Sequence, residues 1–259
     1  MTYLLAILLG AVQGLTEFLP ISSTGHLLIL ENIFRIDQAS FGLAFDASLH
    51  LGTLIAISIF FYKDYVKVFT LKNQLWLKLT IGTTPAVILG LIFENQIETV
   101  LRQTWIVATA LIVFSFVFIF AEKKGQKTKT QDKLTLKDTL IIGFFQALAL
   151  IPGISRSGST ISAGLLLNFK REEAARFAFM LSGPVVAGAG LKKFLGVVGN
   201  SHFNSTDLNF FLIGIFTSAI FGYLTIKYLI KYLTTQSLYP FVIYRVTVGL
   251  ILLFASLLT

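Results

Sequence analysis

The sequence predicts an all-α protein that crosses a membrane many times, and three observations predict it. First, 55% of its 259 residues are hydrophobic and only 13% are charged, where soluble domains carry about a quarter charged residues. Second, the apolar residues gather in runs near the roughly 20 residues that cross a bilayer. Third, the basic residues that give a net charge of +8 fall mainly between those runs. In a soluble chain this charge would point to nucleic acid. Here membrane topology accounts for it, so no nucleic-acid partner is expected. The chain has no cysteine, which excludes disulfides, thiolate metal sites and thiol catalysis.

The spanning segments expected in the first half are Leu43–Tyr62, Leu77–Phe93 and Trp105–Ala121; in the second half they are Ala174–Phe194, Asn209–Tyr232 and Pro240–Leu258. Met1–Ala11 has no basic residue ahead of its apolar stretch and no small-x-small site at its end, so it reads as part of the mature protein rather than a signal peptide. Two further apolar stretches, Tyr3–Leu30 and Thr139–Leu167, are interrupted by polar residues, Gly and Pro. Irregular backbone at membrane depth is tolerated only where protein or a wet cavity satisfies its polar groups. Both stretches therefore read as re-entrant hairpins or broken helices lining a cavity.

The two interruptions resemble each other. In an ungapped match, Gln13 falls on Gln146, Ser22 on Ser155 and Gly25 on Gly158, while Thr24 against Ser157 keeps a hydroxyl. A hairpin followed by three spans leaves the second copy upside down. The expected plan is one membrane domain of two inverted repeats, 1–121 and 138–259, joined by a basic cytoplasmic loop at 122–137, with the site where the broken helices meet. Charge agrees with this plan. With the loop in the cytoplasm, that face holds fifteen basic residues and the other face four, namely Arg35, Arg102, Lys192 and Lys193. The positive-inside rule then places both termini outside. The lysine-rich loop itself reads as a solvated linker.

Ionisable groups inside a membrane are costly and are functional candidates by default. Those available are Glu17 and His26 in the first break, Arg156 in the second, Arg245 in the last span, and Asp46 and His50 in the first full span. The planar fork of Arg156 suits phosphate oxygens. Ser155, Ser157 and Thr160 add hydroxyls, Gly158 lets backbone N–H groups approach, and a helix beginning near Ser157 would add its positive end. Ser22, Ser23, Thr24 and Gly25 could build the mirror half, and two facing nests suit a diphosphate. Glu17 beside bound phosphate requires an intervening cation; a hard divalent ion, Mg²⁺ or Ca²⁺, would bridge them. Gln13, four residues earlier, would share a helix face with Glu17 and could add an amide oxygen. His26 suits acid–base work or direct attack on phosphorus, and Ser23 is a second candidate nucleophile.

Each of these residues also has a structural role to weigh. Membrane Ser and Thr often bond back to their own backbone. His50 reads as a packing residue, Asp46 as a helix cap, and Arg245 as a side chain able to snorkel to the interface. The run Gly183-Pro-Val-Val-Ala-Gly188-Ala-Gly190 reads as a close helix contact rather than a ligand loop.

The first break, Gln13-Gly-Leu-Thr-Glu17-Phe-Leu-Pro-Ile-Ser22-Ser23-Thr24-Gly25-His26, and the second, Pro152-Gly-Ile-Ser155-Arg156-Ser157-Gly158-Ser-Thr160, resemble the two boxes of the bacterial undecaprenyl-diphosphate phosphatase family, linked to bacitracin resistance. The likeness extends to overall length, the basic central loop and the closing Tyr244-Arg245. It implies ten helical segments in two inverted repeats in the bacterial plasma membrane. It implies hydrolysis of a C55 isoprenyl diphosphate to the monophosphate and inorganic phosphate, at a site open to the outer face, recycling a lipid carrier for cell-wall synthesis. By position, Glu17 and Gln13 would bind or tune the divalent ion and Ser23 or His26 would supply the nucleophile or base. Arg156 would clamp the diphosphate, Ser155, Ser157 and Thr160 would hold its oxygens, and Arg245 would assist. Some members carry Glu where this chain has Gln13, and losing that charge weakens the metal site. The expected partners are the lipid diphosphate and the bilayer, with a homodimer left open.

An inverted-repeat transporter or flippase for a lipid phosphate is the alternative, but transport needs no nucleophile. The type-2 phosphatidic-acid phosphatase pattern is excluded, because it needs a histidine soon after the arginine and none stands between Ser157 and Phe169.

Overall fold

The computed structural model describes residues 3–36, 43–66, 74–198 and 205–258. In chain order the helices are α1 (Tyr3–Phe18), α2 (Ser23–Phe34), α3 (Leu43–Phe60), α4 (Tyr62–Val66), α5 (Leu75–Ile92), α6 (Glu94–Glu98), α7 (Thr104–Lys124), α8 (Leu136–Leu148), α9 (Arg156–Leu166), α10 (Arg171–Val198), α11 (Ser205–Leu233) and α12 (Tyr239–Leu258). Strands are absent among the described residues; one isolated bridge joins Lys129 to Phe169. The chain is an all-α, polytopic membrane protein. Helices α5, α7, α10, α11 and α12 each contain a segment long and apolar enough to cross a membrane, and the apolar part of α3, Phe45–Phe60, is shorter. Large apolar side chains face outward on the spans, among them Ile243, Phe216 and Phe254, each about two-thirds exposed. Such a surface suits a lipid environment.

The two interrupted stretches fold as short helix pairs. Helix α1 has 16 residues, α2 has 12, α8 has 13 and α9 has 11. At 1.5 Å per residue these run about 17–24 Å, less than the roughly 30 Å hydrocarbon core. Each pair breaks at a serine in an uncommon backbone conformation: Ser22 at φ 73° and Ser155 at φ 75°. Ser155 caps α9, its hydroxyl accepting from the N–H of Gly158 at 3.3 Å. Gly153, in the turn before it, has φ 99°, a region that glycine occupies without penalty. The start of α8 is set by a capping box, in which Thr135 and Asp138 each accept the other's backbone N–H.

Helices in lipid gain nothing from hydrophobic exclusion against one another, so they associate by close packing through small residues. Helix α1 lies on α11 at Gly10 and Gly14, where an added Cβ would stand 2.5 Å from the Gly214 carbonyl oxygen and 2.6 Å from that of Ser218. Helix α8 lies on α5 in the same way, with the Gly143 position 2.6 Å from the Gly82 carbonyl oxygen. Helix α3 packs against both α11 and α10, and α7 against α12. Ser218 bonds the Leu49 carbonyl at 2.9 Å, joining α11 to α3. The glycine run of α10 divides its work. Gly183 and Gly190 are close contacts, against Tyr65 and against Leu51 with the Ala47 carbonyl, whereas nothing stands within 4 Å of a Cβ at Gly188.

The segment expected to be a solvated linker keeps Lys123, Lys124, Lys133 and Lys137 exposed, and it is anchored where it leaves α7. Glu122 is 4% exposed and accepts from Arg171 through two nitrogens at 2.7–3.2 Å and from the Leu238 N–H at 2.9 Å. Lys127 lies 3.3 Å from the same carboxylate. The ends of α7 and α10, the approach to α12 and the central loop therefore share one buried anion.

Gly14→Leu is expected to drive side-chain atoms into the α11 backbone and to destabilise the protein by about 1–3 kcal/mol. Thermal unfolding in detergent checks this, with Gly188→Leu, which meets open space, as the neutral control.

Candidate active site

The breaks of the two helix pairs meet in the middle of the bundle. Helix α1 presents Gln13 and Glu17 one turn apart, and both are buried, at 0% and 8% exposure. The Glu17 carboxylate gathers four partners. Arg156, the first residue of α9, lies 3.0 Å from Oε1. Ser23, the first residue of α2, donates to Oε2 at 2.7 Å. Gln13 donates through Nε2 at 3.2 Å, and His50 Nδ1 stands 3.7 Å away. Gln13 Nε2 also lies 2.9 Å from His50 Nδ1. A second link joins the halves: Ser157 donates to the Leu19 carbonyl at 3.0 Å.

Two features leave this cluster room for a ligand. Nη1 of Arg156 and Oε1 of Gln13 are buried without a hydrogen-bond partner, which is costly unless something else satisfies them. A cavity of about 450 Å³ reaches the cluster at His50, with Thr24, Pro152, Arg102 and Lys192 also in its lining. It suits one orienting polar end and an apolar remainder.

The remaining expected residues are placed unequally. Ser22 and Ser155 occupy the strained breaks, and Ser155 Oγ lies 3.2 Å from Ser157 Oγ. A Cβ at Gly158 would run into the Phe118 ring, so glycine there is needed for packing. At Gly25 a Cβ would make only ordinary contact, 3.5 Å from Val107. Thr160 turns back on its own helix, donating to the Arg156 carbonyl at 2.7 Å, so its hydroxyl is engaged by backbone. His26 is held at both nitrogens, by the Ser22 carbonyl and the Tyr244 hydroxyl, each at 2.7 Å. A carbonyl only accepts, so Nδ1 carries the proton, and in the neutral ring Nε2 accepts from Tyr244.

Arg245 departs from expectation. It neither snorkels to the interface nor faces the cavity, being 0% exposed. Its guanidinium donates to Ser115 at 3.0 Å, the Leu111 carbonyl at 3.2 Å and the Gly153 carbonyl at 3.0 Å, and it stacks 4.7 Å from the Phe118 ring. The cause is geometric. The turn before α9 leaves the Gly153 carbonyl without a helical partner inside the bundle, and a long cationic fork from α12 reaches it. Arg245 is a positioning residue for the second break.

His50, expected to pack, stands in the Glu17 cluster, where an ionisable group in an apolar span is a candidate by default. Asp46, in the first turn of α3, pairs with Arg102 at 3.0 Å on the cavity wall.

Two hairpin-like breaks, a buried carboxylate–arginine pair, a carboxylate-bound serine and an adjoining cavity define an integral-membrane protein with a buried polar site. The family described as bacitracin resistance protein BacA matches residues 6–251. Undecaprenyl-diphosphatase of Geotalea daltonii is 44% identical, the match covering 94% of each chain. That of Elusimicrobium minutum is 42% identical over the full length of both, and undecaprenyl-diphosphatase 3 of Bacillus cereus is 41% identical over 98% of this chain and 97% of its own. The chain belongs to the BacA family.

Glu17→Gln would leave Arg156 without its counter-charge, at an expected cost on the order of 3 kcal/mol. The double variant Glu17→Gln/Arg156→Gln should recover part of it, read by thermal unfolding in the same detergent.

Proposed function

We propose that this multi-pass bacterial membrane protein hydrolyses undecaprenyl diphosphate to the monophosphate and inorganic phosphate, recycling the lipid carrier for cell-wall synthesis. The observation that carries the reading is the Ser23–Glu17–Arg156 constellation. A hydroxyl bound to a carboxylate base stands beside a guanidinium fork, and the fork has a donor to spare. The family relation and the 41–44% identity to undecaprenyl-diphosphatases over nearly the whole chain support it.

Arg156 would hold the oxygens of the terminal phosphate. Ser23 Oγ would attack that phosphorus in line with the bridging oxygen while Glu17 Oε2 takes its proton. The new bond is Oγ–P. The bond that breaks is phosphorus to the bridging oxygen, which departs with the undecaprenyl monophosphate. Water then attacks the phosphoserine, a proton returns to Ser23, and inorganic phosphate leaves. His26, saturated by Ser22 and Tyr244, fits a role in orienting α2 better than that of attacking group. His50 and Gln13 hold the Glu17 carboxylate in place.

A divalent cation fits the donor set in part. Glu17 and the unpartnered Oε1 of Gln13 would hold it, and when bound it would offset diphosphate charge. No group of three or more His, Cys, Asp or Glu able to hold a metal is present among the described residues, so phosphate and water would complete its shell.

The paired breaks, the matching packing of α1 on α11 and α8 on α5, and the shared positive-φ serines support an inverted-repeat plan, and the basic-residue bias supports a site open to the outer face. Tags on the two termini, probed from either side of the membrane, test that orientation.

Phosphate release from a C55 isoprenyl diphosphate by the purified protein tests the reaction. Ser23→Ala is expected to lower kcat by about 10³-fold or more, and His26→Ala by about tenfold. EDTA should abolish release and Mg²⁺ or Ca²⁺ restore it. A His26→Ala loss as deep as that of Ser23→Ala would move the nucleophile to the histidine. No release from folded wild-type protein would favour transport of a lipid phosphate.

A further inference from the structure

The site cavity is continued by a second one. This second cavity, of about 590 Å³, lies between α5 and α10, lined by Tyr65, Trp76, Leu79, Thr80, Thr83 and neighbours. Val87 and Pro184 line both cavities. The two therefore abut across the α5–α10 seam. From Trp76 to Leu91 their joint wall follows α5 for roughly 22 Å at 1.5 Å per residue, most of the hydrocarbon depth.

Three observations say what this seam accommodates. Two of its three threonines are satisfied by their own helix, Thr80 donating to the Trp76 carbonyl at 2.9 Å and Thr84 to the Thr80 carbonyl at 2.8 Å, while the Thr83 hydroxyl is buried without a partner. On the opposite wall, Gly188 lines the site cavity with nothing within 4 Å of where its Cβ would stand. Helix packing does not require glycine there, and the missing side chain is room. At the rim, Lys192 of α10 bonds both oxygens of Glu94 in α6 at 2.6 and 2.7 Å, holding the two walls together at the polar end. A C55 chain greatly exceeds what a 450 Å³ cavity encloses, so it must leave that cavity along an apolar path.

We propose that the α5–α10 seam is the binding subsite for the isoprenyl tail. The diphosphate sits at Arg156 and the first isoprene units fill the space beside Gly188. The remaining chain runs past Val87 and Pro184 towards Trp76. This rests on the phosphatase reading. It adds that chain length is sensed by the seam and not by the phosphate site.

Thr84→Trp and Thr80→Trp fill the seam away from Glu17, Ser23 and Arg156 and outside the lining of the site cavity. Each is expected to lower kcat/KM for the C55 diphosphate at least tenfold while changing kcat/KM for a C10 diphosphate, which ends inside the first cavity, less than twofold. Equal losses on both substrates, or none on either, would overturn the subsite. A second experiment needs no turnover. The chain has no cysteine, so Thr80→Cys carries one thiol for a membrane-permeant maleimide. C55 monophosphate should slow its labelling at least fivefold where an equal concentration of diacyl phosphatidic acid does not. Equal protection by the two lipids would make the seam an ordinary lipid-facing groove. If wild-type protein released phosphate from neither diphosphate, the phosphatase reading would fail, and the labelling result would still decide the subsite.

Discussion

A carboxylate and a guanidinium that sit inside a bilayer must find each other, and the bundle is arranged around the meeting of Glu17 with Arg156. Neither charge could be held there alone, since an unpaired ion at this depth is severely penalised. They come from opposite halves of the chain, Glu17 at the end of α1 and Arg156 at the start of α9. Their 3.0 Å contact requires both helix pairs to break at the same depth. The ion pair is thus a condition on the fold as well as the centre of the proposed chemistry. Ser23 and Gln13 donate to the same carboxylate, and His50 stands 3.7 Å from it.

Breaking a helix inside a membrane leaves backbone groups that lipid cannot satisfy. The second break solves this with one side chain. Arg245 crosses from α12 to the Gly153 carbonyl and to carbonyls of α7, and its charge rests on the Phe118 ring. Gly158 gives that same ring its place. The first break relies on His26, which takes the Ser22 carbonyl on one side and Tyr244 on the other. Adjacent residues of α12, Tyr244 and Arg245, therefore brace both breaks, and the helix farthest along the chain positions the site without touching Glu17.

Charge is managed differently at the end of the bundle that carries the central loop. There Glu122 collects Arg171, Lys127 and the Leu238 N–H. A run of lysines reads in sequence as a solvated strand of charge, because composition records how many there are and not which of them faces a buried carboxylate. The same limit hid the Glu94–Lys192 pair at the cavity rim.

What the sequence determined by itself was local and compositional. Apolar runs set the spans, and polar interruptions set the two breaks. Matching Gln, Ser and Gly positions made the two breaks alike, and the rarity of intramembrane charge singled out Glu17, His26, Arg156, Arg245, Asp46 and His50. These follow from rules that act over one helix or one turn. Tertiary structure decided which of those charges meet. It paired Arg156 with Glu17, drew His50 into the cluster, turned Thr160 back on its helix and buried Arg245 as a brace. It also kept Gly188 beside open space. Those outcomes depend on distances between helices far apart in the chain, set by glycine contacts such as Gly14 on α11 and Gly143 on α5, and spacing along a single helix carries no record of them.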